Sequence, residues 1–341
     1  MISLSLVHVD SMSCEPIVRR APDGSLILLC QCGGTEEPSP ANRVYLFRSK
    51  DEGKSWSCGE DILPADSRAL YQTEVFVYEK RIYVFMTAHS GRFCRCENFV
   101  LMSADGGYTW EKKKSFEGLP EFAFVRGGII CGDKIIFPFH GFAVGKEEQE
   151  RLAAENKYIW ESDIKEMECG VIQCDKDGYK IKKTFSLPVL REGKRRWAWF
   201  EPTIIAMRDG TLSMLVRIDG TGALWETRST DCGNTWDKLR KTAIKSPNNK
   251  PKLLRGNGGE IMLIHTPNDA IGIQNRFPLE LWISRDDMKS WRKYRLSTFP
   301  GWYSYPDGFL SEDGRLLLSV DFNRHDIYFI SCDLKNEKFI Y

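Results

Sequence analysis

Three segments of this chain set carboxylates, guanidinium groups and phenols beside apolar runs. Glu201-Pro202-Thr203-Ile204-Ile205 leads through Asp209-Gly210-Thr211-Leu212 to Leu215-Val216-Arg217. Gln274-Asn275-Arg276-Phe277-Pro278-Leu279 puts an arginine just ahead of a strand-like run, and Tyr303-Ser304-Tyr305-Pro306 precedes Asp313-Gly314-Arg315-Leu316. Carboxyl and phenol groups serve as proton carriers and nucleophiles, and the arginine fork binds oxyanions through paired hydrogen bonds. A second set of reactive groups is thiol-based. Eleven cysteines include the pairs Cys30/Cys32 and Cys94/Cys96, whose Cys-x-Cys spacing points both thiols to one side of a strand. The ligand patterns usual for zinc are absent, so reduced thiols are expected, and neither a metal nor a cofactor is.

The elements that must hold these groups are written in a repeat. Ser49-Lys50-Asp51-Glu52-Gly53-Lys54-Ser55-Trp56 has counterparts at Ser103 to Trp110, Ser229 to Trp236 and Ser284 to Trp291. From Asp to Asp the gaps are 54, 126 and 55 residues, so the long gap hides one unit whose copy has decayed. A period near fifty residues is that of a four-stranded propeller blade. Each copy reads as a hairpin turn: Asp accepts from the turn's own amides, Gly supplies positive φ, and Trp packs beneath. Met288 replaces that Gly in the last copy, so its turn must differ or carry strain. Strand-like runs with turn dipeptides such as Asp23-Gly24 and Asp209-Gly210 fill the remainder, an all-β pattern interrupted by one short helix at about 145–157. One domain over 1–341 is expected. The C-terminal strands have no copy after them, so an N-terminal strand should complete the last blade and close the ring.

Composition excludes several classes. With 48 basic and 47 acidic side chains the net charge is +1, which favours neither nucleic acid nor an anionic membrane, and Lys194-Arg195-Arg196 reads as solvated loop charge. The start, Met1-Ile2-Ser3-Leu4, has neither a signal-peptide nor a membrane-span pattern, and a cytoplasmic location is expected. Nothing in the sequence fixes an oligomeric state.

The four copies resemble the Asp boxes (BNR repeats) of the sialidase-type six-bladed β-propellers, of the bacterial exo-α-sialidase kind. The resemblance covers nearly the whole chain and implies four-stranded antiparallel blades, with the boxes on the face away from the site. It also gives the three opening segments roles. Tyr305 or Tyr303 would be the nucleophile; counting back from Asp313-Gly314 favours Tyr305, whereas Tyr303-Ser304 imitates the local motif. Both are expected on one side of the strand. Glu201 would be the partner base, and Arg217 and Arg276 the clamp for a substrate carboxylate. A phenol suits this task, since it is neutral near pH 7 and is not repelled by the carboxylate on the anomeric carbon of a sialic acid. The general acid would come from the loop Gln31 to Arg43, where Glu37 is the first candidate and Glu36 the second, and Glu74 would contact substrate hydroxyls. The family's N-terminal Arg-Ile-Pro is replaced by Cys14-Glu15-Pro16, with Arg19 and Arg20 out of phase. The clamp is therefore two arginines or borrows Arg43 or Arg92, and Glu15 needs a proton or an arginine partner.

The expected function is a retaining exo-glycoside hydrolase that releases a terminal sialic acid or related acidic sugar from a glycan. The alternatives are a propeller glycosidase for a neutral or uronic acid sugar, to which His89 and His140 in inner loops would contribute, and a non-catalytic carbohydrate-binding propeller.

Overall fold

Turn dipeptides reverse the chain where the sequence places them: the amides of Gly24, Gly210 and Gly314 donate to the carbonyls of Ala21, Met207 and Ser311 at 2.9, 3.1 and 2.9 Å. All three glycines have φ between 84 and 88°, the left-handed region in which they carry no Cβ penalty. Each run between such turns then pairs with its neighbour. The computed structural model describes residues 2–335 except 164–165, 189, 193–194 and 198–199, with the side chains of 188–199 also outside it; the side-chain charges of the Lys194-Arg195-Arg196 run lie outside what is described.

Six antiparallel blades result among the described residues, each ordered here from the centre outwards, besides a two-stranded ribbon of Leu190–Glu192 and Arg195–Trp197. Blade one is Ser13–Arg20, Leu26–Cys32, Arg43–Ser49 and Glu60–Asp61; blade two is Ala69–Tyr78, Arg81–His89, Glu97–Ser103 and Glu111–Lys114. Blade three is Phe122–Val125, Lys134–Phe142, Glu166–Asp175 and Gly178–Pro188, with Ile129–Cys131 added beside its second strand. Blade four is Phe200–Ala206, Leu212–Ile218, Ala223–Ser229 and Arg240–Lys245; blade five is Lys252–Arg255, Ile261–His265, Glu280–Ser284 and Arg292–Arg295. Blade six is Tyr303–Leu310, Arg315–Phe322, Asp326–Asp333 and, outermost, Ile2–Val9, whose Ile2 faces Cys332 and Val9 faces Asp326. The N-terminal strand thus closes the ring as the sequence implied.

Apolar side chains fill the gaps between blades. Ile17, Ile27 and Leu29 of blade one meet Val75 and Val84 of blade two, and Leu28 and Phe47 meet Leu317 and Phe329 of blade six. Each such fully buried side chain contributes about 1.5–3 kcal/mol. The short helix is Lys146–Ala154, set between the second and third strands of blade three. Among the described residues no helix is long and apolar enough to cross a membrane.

The four repeats join the third and fourth strands of blades one, two, four and five. In the first, Ser49 Oγ receives the Gly53 amide at 2.8 Å, and Asp51 receives the Ser55 amide at 2.9 Å and its hydroxyl at 2.6 Å. Met288 keeps the same turn, its amide 2.8 Å from Ser284 Oγ, at φ 65°. Of the two expected outcomes it is strain, since a side chain here costs about 1–2 kcal/mol. Blade three has Asp175 to Gly178 as a tight hairpin in place of a repeat, which is the decayed unit. Strands alternate in direction, so these turns lie at one end of the ring. The heads of the inner strands and the connections between second and third strands lie at the other.

Candidate active site

Four blades start their inner strand on one local pattern: Glu15-Pro16, Glu201-Pro202, Lys250-Pro251 and Tyr305-Pro306. An inner strand has a free edge on the central channel, where proline's missing N–H breaks no ladder bond. The pattern brings Glu15, Glu201, Lys250 and Tyr305 to equivalent positions around the axis, with Gln72 from blade two and Arg126 from blade three, and all six side chains are buried.

Charge holds this ring together. Arg126 donates Nη1 to Glu15 Oε2 at 2.9 Å and Nη2 to Glu201 Oε1 at 3.1 Å. Arg217, at the end of blade four's second strand, donates Nη1 to the other Glu201 oxygen and Nε to Asp219 Oδ1 at 2.7 Å. The same Nη1 is 3.4 Å from the Tyr305 phenol oxygen, so Arg217 stands between phenol and carboxylate. Arg276, from the loop after blade five's second strand, donates to Ser304 Oγ at 2.9 Å and the Asn248 carbonyl at 2.7 Å, its guanidinium carbon 5.1 Å from the Tyr305 ring centre. Lys250 Nζ is 4.0 Å from Glu15 and 5.6 Å from that ring centre.

Burial opposes charge on Glu201, yet Arg217 and Arg126 outweigh it and hold its carboxyl below the ordinary range. Burial, with Glu201 and Glu15 adding to it, pushes the Tyr305 phenol well up, against Arg217 and Arg276. Asp321 is pushed up to about 7, again by burial and against Arg276; its Oδ2 accepts the Glu15 amide at 3.3 Å. Burial and the neighbouring Arg126 lower Lys250.

The backbone is strained at two of these positions. Glu15 has φ 49° and Tyr305 φ 51°, although each precedes proline and carries a Cβ. Both lie in bulges, between Cys14 and Ile17 and between Ser304 and Asp307. The bulge corrects one expectation. Two residues apart in a regular strand, Tyr303 and Tyr305 would share a side, but the left-handed turn at Tyr305 breaks the alternation. Tyr305 faces the channel, while Tyr303 packs with Phe277, Phe299 and Phe322 and donates its hydroxyl to the Phe299 carbonyl at 2.9 Å.

The other expected residues fall at different depths. Glu37 lies at the mouth, paired with Arg324 of blade six, whose guanidinium carbon is 5.4 Å from the Tyr305 ring centre. Glu36 turns to Arg92 at 3.5 Å, and Arg92 is held at the rim by Tyr158 and Asn156. Glu74 is buried one layer down, where its Oε1 accepts Arg19 at 2.5 Å; Arg19 also pairs with Asp307, which takes Lys252 Nζ at 2.9 Å. This neutral quartet floors the ring above it. Arg43 is not brought to the cluster: its donors go to Asp61 at 2.8 Å and to the carbonyls of Arg68 and Leu63. His89 and His140 are buried at strand positions, and desolvation lowers both, His89 to about 3. Cys30 and Cys32 bring their sulfurs to 3.3 Å, on one side as expected. Among the described residues no group of three or more His, Cys, Asp and Glu could hold a metal ion.

Arg126, Lys250, Asp219, Asp321 and Arg324 were not anticipated from sequence. The recurring X-Pro pair was the available signal for Lys250; the others carry no local motif.

The BNR repeat-like domain family matches residues 171–318. No curated protein matches in sequence. Among solved structures, a Dyadobacter fermentans protein of unknown function superposes with TM-score 0.71 at 16% identity, over 97% of this chain and 99% of that one. A Hadza microbial sialidase gives 0.71 at 16% identity over 96% and 66%, and the leech intramolecular trans-sialidase, complexed with 2,7-anhydro-Neu5Ac, gives 0.67 at 15% over 96% and 68%. This chain thus spans about two thirds of each of those two sialidase chains.

Proposed function

We propose, for a chain with the propeller fold of sialidases and a BNR repeat-like match over residues 171–318, that it is a retaining exo-glycoside hydrolase releasing a terminal sialic acid or a related acidic sugar. The observation that carries this reading is the buried Tyr305–Arg217–Glu201 contact at the head of the channel. The phenol oxygen of Tyr305 attacks the anomeric carbon, Glu201 takes the phenol proton, and the glycosidic oxygen leaves with a proton from Glu37, with Glu36 the second candidate. Water then cleaves the glycosyl–tyrosine bond by the reverse proton movements, and two displacements retain configuration. Arg217 stands between Tyr305 and Glu201. A substrate carboxylate engages Arg217 and Arg276, draws the guanidinium towards itself and brings phenol and carboxylate into contact.

Purified protein is assayed on an aryl α-sialoside beside Tyr305→Phe and Glu201→Gln, with aryl glycosides of neutral and uronic acid sugars as a panel. Turnover lost in both variants supports the reading. Silence across the panel refutes it in favour of a carbohydrate-binding propeller. One observation favours a second reading: the Glu15 carboxylate occupies the ring itself, 4.0 Å from Lys250, and suits the hydroxyls of a neutral or uronic acid sugar better than a carboxylate on the anomeric carbon. Turnover of those aryl glycosides in place of the sialoside would establish it.

A further inference from the structure

Arg324 sits where backbone conformation argues against an arginine. The hairpin joining Arg315–Phe322 to Asp326–Asp333 turns on Asn323 at φ 57° and Arg324 at φ 59°. Both central residues are left-handed, and glycine is the usual second member of such a turn. Keeping a side chain there costs about 1–2 kcal/mol, and strain of this kind persists where the surroundings over-determine the conformation. Here they do. The His325 amide donates to the Phe322 carbonyl at 3.1 Å, the Asn323 amide to Trp302 at 2.9 Å, and the Arg324 carbonyl receives the Ser13 amide of blade one at 3.0 Å.

The guanidinium so placed does two things. It lies over the Tyr305 ring and it pairs with Glu37 on a loop from another blade. That loop is itself fixed. Asn42 Nδ2 donates to the carbonyls of Gly33 at 2.6 Å and Glu36 at 3.2 Å, and its Oδ1 receives the Ser39 amide at 2.7 Å. The pair therefore bridges the seam between blades six and one at the mouth of the site, with side chains 18% and 14% exposed. The other arginines near Tyr305 are bound within the protein: Arg126 and Arg217 to buried carboxylates, Arg276 to Ser304 and a carbonyl.

We infer that Arg324 is a carboxylate-binding residue that exchanges partners. Its partner in this structure is Glu37, which it neutralises. A carboxylate-bearing sugar, on the function proposed above, takes over the guanidinium and releases Glu37. A carboxyl without its cation takes up a proton more readily, so binding the anion arms Glu37 as proton donor to the leaving oxygen. Each Glu37 that is protonated takes one proton from solution, with no covalent bond made or broken. The charges around Glu37 agree with this. Arg92, from blade two, is spent on Glu36 of the same loop, which leaves Arg324 as the cation on Glu37. A neutral sugar leaves the Arg324–Glu37 pair closed and the acid unarmed.

The test uses titration calorimetry of the whole protein with N-acetylneuraminate near pH 6, in two buffers of different ionisation enthalpy. Wild type should take up a measurable fraction of a proton per sugar bound. Glu37→Gln should abolish the uptake and bind severalfold more tightly, because Arg324 no longer has a competing partner. Arg324→Gly, which suits φ 59° and so keeps or raises the melting temperature, should abolish the uptake and weaken binding about 10-fold to 100-fold. Binding of unchanged strength in Arg324→Gly, or equal proton uptake in wild type and Glu37→Gln, overturns the exchange and leaves the hydrolase reading intact. No binding to wild type together with no turnover of the aryl sialoside overturns both.

Discussion

Arg126→Met should be among the most damaging single changes to stability in this chain. One guanidinium reaches Glu15 at 2.9 Å and Glu201 at 3.1 Å, and all three side chains are only 2–3% exposed. Taking away one partner of a buried ion pair costs about 3–5 kcal/mol, since the other charge remains out of water. The penalty is not doubled. Glu201 keeps Arg217, whereas Glu15 is left with Lys250 at 4.0 Å, so most of the loss belongs to Glu15. Urea unfolding followed by fluorescence gives the number: with a slope of about 3 kcal/mol/M for a chain of this size, the midpoint should fall by about 1–2 M. The double variant Arg126→Met/Glu15→Gln should recover about 1–3 kcal/mol of that loss, because the orphaned charge is gone. A midpoint shift below about 0.3 M, or a double variant no more stable than the single one, would refute the claim that Arg126 holds the ring by charge.

Three further outcomes follow from the geometry. Asp321 has its carboxyl near 7 in the folded protein against an ordinary 3.8, so the native state holds that proton more tightly; this stabilisation is complete below about pH 4 and is lost as pH rises through 7. Melting temperatures from pH 5 to 8 should therefore fall less in Asp321→Asn than in wild type, and parallel curves would contradict the assignment. Gly141→Ala puts a Cβ 2.1 Å from the Phe122 carbonyl oxygen and 2.8 Å from the Ala123 Cα, both backbone, and should destabilise by about 3 kcal/mol. Gly210→Ala meets nothing within 4 Å and should lose only about 1–2 kcal/mol for its φ of 84°; thermal melts of the two separate crowding from backbone strain. Tyr303→Phe should keep turnover while losing about 1 kcal/mol with its bond to Phe299, whereas Tyr305→Phe and Glu201→Gln should each abolish turnover and combine with little further loss. Activity lost in Tyr303→Phe alone would reverse the roles of the two tyrosines.

The ring was legible because its turns are chemically demanding. A Ser, an Asp and a left-handed residue at fixed spacing are what satisfies the amides of Gly53, Gly107, Gly233 and Met288, and few other combinations do it. Blade six has no repeat, and that absence after the C-terminal strands is what pointed to an N-terminal strand as its completion. The grouping of Glu201, Arg217, Arg276 and Tyr305 was implied by the resemblance to sialidases, and strand direction accounts for it by putting the heads of inner strands and the ends of second strands at one rim. What failed was side-chain direction at a bulge. Alternation assumes negative φ, and nothing in Tyr303-Ser304-Tyr305 alone states that Tyr305 is left-handed. Glu15 read as an obstacle to an acidic substrate until Arg126 supplied the partner it needed. That partner comes from another blade, 111 residues on, and is invisible to any local pattern. Arg324 is hidden for the same reason, its position set by a tight hairpin rather than by spacing.

The pairing of Ile2–Val9 with Asp326–Asp333 bears on how the molecule is made. Within the propeller, the ribosome delivers the outermost strand of blade six ahead of blades one to five and its neighbour only after those five blades have emerged. Until then Leu4 and Leu6, outward-facing even in the finished ring, belong to a strand without a sheet. Arg324 and Glu37 face one another across the neighbouring seam between blades six and one, and Tyr305 lies beside it. The nascent chain therefore acquires the complete mouth of its pocket only when the two ends of the propeller meet, and whatever the pocket does begins at that moment.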